Sequence, residues 1–196
     1  MQEIVKVIKP AVLLFIVLSV LTGLIYPLFI TGVVQVAMPD KAGGSLLTVN
    51  GKVIGSELIG QNFTSEGYFH GRPSAVDYAA NNSGASNLGP TSERLMEQVR
   101  ARIAKVRAEN NLSLNTSVPA DLVLSSASGL DPHISVEGAM IQISRIARAR
   151  GLAEAKVRTL VDQHIEYPQF GLLGQKRINV LKLNMALDKL AGSSDL

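Results

Sequence analysis

From Pro10 to Pro39 the chain reads PAVLLFIVLSVLTGLIYPLFITGVVQVAMP, without one charged side chain. A helix needs about 20 apolar residues to cross a hydrocarbon core roughly 30 Å thick, and this run exceeds that length. Lys6 and Lys9 precede it much as a charged region precedes a secretory signal. Signal cores, however, span only about 7–15 residues, and Val36-Ala37-Met38 is a poor version of a small-x-small cleavage site. A buried helix of a soluble protein is rarely apolar on every face for so long. The run therefore predicts a retained transmembrane helix over residues 10–37.

Lys6, Lys9 and the terminal amine lie before the span, but Lys41 and Lys52 follow it closely, so the positive-inside asymmetry is shallow. Long downstream domains are translocated largely regardless of charge. The expectation is a cytoplasmic N-terminus of residues 1–9, a single pass, and an extracytoplasmic domain of residues 40–196. The chain has no cysteine, which excludes a disulfide framework. Within the span, Ser19 and Gly23 form a small-xxx-small pair that lets another helix approach closely. Pro27 removes one backbone donor and is expected to kink the outer half.

The remainder is long enough to bury about two-thirds of its unfolded surface around its own core. Leu46-Leu47-Thr48-Val49 and Lys52-Val53-Ile54 flank Asn50-Gly51, the dipeptide best suited to a type I′ hairpin. From Gly67 to Thr91 a long loop rich in Gly, Asn, Ser and Pro still carries Tyr68, Phe69, His70, Arg72, Asp77 and Tyr78. Loops of that length inside a domain are functional or disordered, and the aromatics argue against disorder. Aromatic and arginine side chains are also favoured at interface hot spots. Tyr68, Phe69, His70 and Arg72, with Ser19 and Gly23, are therefore candidate partner contacts; the competing reading folds the loop onto its own core.

Thr91 or Ser92 caps a helix with Leu95, Val99, Ile103 and Val106 on one face. A second helix follows Ser135, turns Val136, Ala139, Met140, Ile143 and Ala147 inward, and ends at Arg148, Arg150 and the C-capping Gly151. Two more are expected around Ala153–Ile165 and Asn179–Leu190, with Phe170–Gly174 between them as a strand or tight turn. The result is an α+β architecture: one transmembrane helix and one mixed α/β domain. A formal charge of +3 with both signs interspersed reads as solvated helix faces, not a nucleic-acid surface.

The chain contains no G-x-S-x-G elbow, no G-x-x-x-x-G-K-[ST] phosphate loop and no H-E-x-x-H metal helix. In SASGLDPHIS, residues 126–135, the trio Ser128, Asp131 and His133 invites comparison with a nucleophilic triad, and an anchored extracytoplasmic hydrolase is the alternative reading. Triads are assembled in space, so closeness in sequence is poor support. Asp131-Pro132 opens a turn and Ser135 caps the next helix, which accounts for the polar residues structurally. His164 and Glu166 are neighbours at a helix end, where a structural role also suffices.

Beyond these local readings, GSELIGQNF (55–63), GYFHGRPSA (67–75), NLGPTSE (87–93), SASGLDPHIS, RARG (148–151) and FGLLGQKRINVLKLNMALD (170–188) together closely resemble the C subunit of the Kdp potassium-transporting ATPase. Their order and the preceding single span match as well. The resemblance implies a non-catalytic subunit of a bacterial inner-membrane complex, acting beside a channel-like potassium-conducting subunit, a P-type ATPase subunit and a very small accessory subunit. It implies that ATP and potassium are handled by those partners, with no cofactor held by this chain. The family's C subunit is described as a catalytic chaperone that raises nucleotide affinity, or as a cap at the ion entrance. Asp40-Lys41-Ala42-Gly43-Gly44 lacks both threonines of the D-K-T-G-T phosphorylation motif, so no ATP hydrolysis is expected of this chain alone.

Overall fold

A computed structural model describes residues 2–192. In the N-terminal unit, which extends through Ile54, α1 (Gln2–Val20) passes through a wide π-helical turn (Leu21–Ile25) into α2 (Tyr26–Ala37). Lys6–Ala37 is long and apolar enough to cross a membrane, and no residue of its most apolar stretch is buried in its own chain. The wide turn adapts the helix to Pro27: the Tyr26 amide reaches back to the Leu21 carbonyl, five residues away, just before the residue that has no amide to give. Thr22 and Thr31 donate their hydroxyls to the Leu18 and Pro27 carbonyls, both at 2.7 Å. These bonds satisfy both threonine hydroxyls within the helix itself, as an apolar environment would require.

After the short α3 (Pro39–Ala42) comes the hairpin of β1 (Leu46–Val49) and β2 (Lys52–Ser56). Asn50 and Gly51 both take positive φ, 50° and 77°, as a type I′ turn requires.

The second compact unit begins at Gly55, within β2. Ser92 caps α4 (Glu93–Glu109) by accepting from the Leu95 amide, but no residue of that helix is fully buried. The expected inward face of Leu95, Val99, Ile103 and Val106 is only half covered. Arg102 and Arg107 tie the helix down through the Val123 and Thr116 carbonyls, at 2.9 and 3.0 Å.

Ser135 caps α5 (Val136–Met140), accepting from the Gly138 amide at 2.9 Å. The single helix expected there is two, because Gln142 intervenes. Its side-chain amide takes the Gly138 carbonyl at 2.9 Å, and its backbone amide shifts to Ala139 at 3.1 Å. That exchange ends one helix and starts the next, α6 (Ile143–Arg150), which Gly151 closes at φ 65°. α7 (Glu154–Gln163) and α8 (Val180–Gly192) complete the set.

A small antiparallel sheet, in the order β3 (His133–Ile134), β5 (Arg177–Asn179), β4 (Ile165–Glu166), lines Ile134 and Ile165 up on Ile178. Phe170–Gly174 is a tight turn bridged by Gln169 and Leu173. The core gathers Ile134, Ile178, Ile143, Ile146, Val157, Val161, Leu183 and Leu187 with one residue of the long loop, Phe69.

Phe69 is 0% exposed, so as a candidate partner contact it is corrected: its ring is part of the core. Phe69→Ala is expected to lower domain stability by about 3–5 kcal/mol through the cavity left behind, read as an earlier urea midpoint with an unchanged slope. A loss below ~1 kcal/mol would contradict the placement of this ring at the centre of the fold.

Candidate functional site

The long loop is held by its backbone. Among residues 66–70 each carbonyl accepts from a side chain of the α5–α6 turn, α6 or α8. Arg145 donates to the carbonyls of Glu66 and Tyr68, Arg150 to that of Gly67 at 2.6 Å, Asn184 to Phe69 at 3.0 Å and Gln142 to His70 at 3.2 Å. Two of these side chains also accept. The Phe69 amide donates to Asn184 Oδ1 at 2.9 Å and the His70 amide to Gln142 Oε1 at 2.8 Å. Asn184 and Gln142 thus pair with the loop on both its donor and acceptor sides, as a neighbouring strand would.

Arg145 is 4% exposed, yet its further bonds go to neutral acceptors, Asn110 Oδ1 at 3.0 Å and Gln142 Oε1 at 2.8 Å. Burial lowers its pKa, a shift opposed by the charges of Glu109 and Glu66. Arg150 also stacks 4.5 Å over the Tyr68 ring and pairs with Asp188 at 2.8 Å; the Tyr68 hydroxyl donates to the same carboxylate at 3.2 Å. The arginines expected to complement helix ends therefore do more at Arg150. Arg145, Gln142 and Asn184 are missed by the sequence reading.

His70 faces Glu109 at 3.6 Å and the Ser65 carbonyl at 3.0 Å. Burial, followed by the charge of Arg145, lowers its pKa. His70, Arg72 and Tyr78 share with α4 a half-polar cavity of about 230 Å³. Tyr78 donates its hydroxyl to the Arg72 carbonyl, and burial followed by the charge of Asp131 pushes its phenol up to about 12.

Arg72 joins the loop to SASGLDPHIS. Its guanidinium meets Asp131 Oδ2 at 2.9 Å, while Asp131 Oδ1 accepts from the His133 amide at 3.0 Å. Burial pushes the Asp131 carboxyl up, but the bonds from His133 and Arg72 outweigh it and hold the group at about 2. The His133 ring lies between two carboxylates, 3.6 Å from Asp131 and 3.5 Å from Glu166. Glu166 in turn meets Arg177 at 3.0 Å and Lys182 at 3.8 Å. His164, its sequence neighbour, turns instead to the Leu160 carbonyl at 2.8 Å.

Ser128 is engaged elsewhere. Its Oγ accepts from the Leu130 amide at 3.1 Å, and its carbonyl accepts from the Gly84 amide and the Ser83 hydroxyl. Among the described residues no hydrogen bond joins Ser128 to His133, so the trio is not assembled as nucleophile and base. The segment is a junction: Gly60, Gly84 and Val180 donate their amides to the carbonyls of Leu130, Ser128 and Pro132. Ser135, besides capping α5, donates to Asp121 at 3.1 Å. Among the described residues no cluster of three or more His, Asp or Glu is arranged to hold a metal.

Comparisons with known proteins cover both the span and this domain. The sequence model of the family described as "KdpC: K+-transporting ATPase, c chain" matches residues 8–189. The chain is 54% identical over 170 residues to the potassium-transporting ATPase KdpC subunit of Nitratidesulfovibrio vulgaris, covering 85% of this chain and 86% of that one. It is 52% identical over 188 residues to the same subunit of Polaromonas naphthalenivorans, with 94% and 95% covered. Against that of Cereibacter sphaeroides it is 52% identical over 181 residues, with 92% and 96% covered.

The Asp131 pKa carries a pH dependence. A carboxyl held below its unfolded value of about 3.9 adds stability that is present above that pH and lost as pH falls toward the folded value. Domain stability should fall by on the order of 2 kcal/mol between about pH 5 and pH 2 from this group alone. Asp131→Asn should flatten that limb of the curve measured by chemical denaturation, and an unaltered acid limb would refute the assignment.

Proposed function

The chain belongs to the KdpC family, the c chain of the K+-transporting ATPase, and from that premise we propose that it is a non-catalytic accessory subunit, required for assembly of a potassium-import complex. It sits in the bacterial inner membrane with residues 1–9 in the cytoplasm and its domain outside. Its companions are a channel-like potassium-conducting subunit, a P-type ATPase subunit and a very small subunit. The supporting observation is a family match that runs through the apolar helix and the domain together.

The finer role is catalytic chaperone for ATP binding by the ATPase subunit, an external cap at the ion entrance, or both. Hydrocarbon about 30 Å thick separates this domain from cytoplasmic nucleotide. Any effect on ATP affinity therefore passes through the assembly as a coupling free energy between subunits. Of the surfaces proposed for partner contact, the helix is the better placed. A Cβ built on Gly23 meets nothing within 4 Å in its own chain, so the notch it shares with Ser19 is free to receive another helix. Tyr68, His70 and Arg72 are engaged within the domain; their contribution to assembly is to hold the domain's shape.

Gly23→Leu should reduce copurification with the other subunits several-fold and reduce potassium-stimulated ATP hydrolysis in proportion, while thermal unfolding of the isolated chain stays unchanged. Copurification at the unsubstituted level would remove this helix face from the interface. Protease added to spheroplasts should digest the domain and leave the anchor; a protected domain would overturn the orientation.

A further inference from the structure

Between β4 and β5 the chain forms a tip that turns four large apolar side chains to solvent: Phe170 is 91% exposed, Leu172 85%, Tyr167 66% and Leu173 63%. No charge interrupts the stretch between Glu166 and Lys176. Its backbone is bonded internally. The Gln169 and Leu173 amides donate to each other's carbonyls at 3.0 and 2.9 Å, Gly171 donates to Pro168 at 3.0 Å and Leu172 to Gln169 at 3.1 Å. A segment so satisfied can enter dry surroundings without stranding these donors.

Phe170, at the apex, has φ 54°. For a bulky side chain this is an uncommon and strained conformation that glycine or asparagine adopts more readily. The free domain gains little from a strained aromatic ring that is almost wholly exposed. We propose that this tip is a docking knob whose occupant is an apolar pocket on a companion subunit of the same ATPase. The inference rests on the subunit reading above and names a surface for it.

Size selects that occupant over a second copy of this chain. Stable association of free proteins buries about 800 Å² on each partner, more than one hairpin tip supplies. A tip this small is effective against a partner already held nearby, where a shared membrane assembly raises the effective concentration. Shape selects a pocket over lipid. A bilayer imposes no geometry on the apolar groups it takes up, whereas this tip carries its apolar groups on an internally bonded turn with a strained apex. The adjacent cation, Lys176, lies 5.2 Å from the Tyr167 ring centre and packs back on the tip.

The test uses the assembled complex in its native membrane, with benzoylphenylalanine in place of Phe170 and irradiation. A crosslink to another subunit of the ATPase is expected. A crosslink to lipid, to a second copy of this chain, or to nothing would overturn the proposal. Copurification of the unsubstituted chain is the control: its failure would overturn the subunit reading itself, whereas normal copurification without a crosslink overturns only the knob. Phe170→Asn supplies a second measurement. It should leave the melting temperature of the full chain unchanged or raised, because the backbone strain is relieved, and lower copurification several-fold. A lowered melting temperature with normal copurification would make Phe170 a residue of the fold and end the proposal.

Discussion

The domain depends on a row of peptide carbonyls that no strand pairs with. Residues 66–70 run along the core in irregular conformation, with Phe69 buried and Gly67, Tyr68 and His70 half-buried, and covered backbone acceptors are costly unless bonded. Arg145, Arg150, Asn184 and Gln142 bond all five. With those acceptors satisfied, the Phe69 ring can lie among Ile143, Ile146, Leu183 and Leu187. The apolar centre and the polar brace are one arrangement: removing either leaves the other with a cavity or with stranded polar groups.

The second junction is electrostatic. Arg72, Asp131, His133 and Glu166 form an alternating chain of basic and acidic groups that ends on Arg177 and Lys182, both paired with Glu166. It links the long loop, SASGLDPHIS, the small sheet and α8. Such chains resemble catalytic constellations in composition, since both bring titratable groups together. They differ in where the hydroxyl goes, and Ser128 bonds to the backbone of its own turn. The same groups that suggest chemistry in the sequence hold elements in register in the fold.

What was legible in the sequence has a common physical character. The apolar run, Asn50-Gly51, the caps Ser92 and Ser135 and the terminator Gly151 all act within a few residues of themselves, and each lies where its chemistry predicts. The family motifs were legible too, though not what they are for. Gln142 and Asn184 bond to residues 72 and 115 positions away, and no local pattern encodes such a pairing. The available signal was a polar side chain at an inward helical position, Arg145 between Ile143 and Ile146 and Asn184 between Leu183 and Leu187. The break between α5 and α6 was hidden for a related reason, because it comes from a side chain competing for a backbone acceptor.

The brace also sets an order of events during synthesis. A chain made from its N-terminus exposes residues 66–70 long before α6, and longer still before α8, which carries Asn184 and Asp188. Until the final helix arrives, the Phe69 carbonyl lacks its Asn184 partner and the Phe69 ring has an incomplete site. Loop closure across so many residues is costly in entropy and is recovered only when the late contacts form together. The middle of the domain therefore waits for its end, and a chain stopped short of α8 would carry its principal aromatic core residue unburied, within reach of chaperones and proteases.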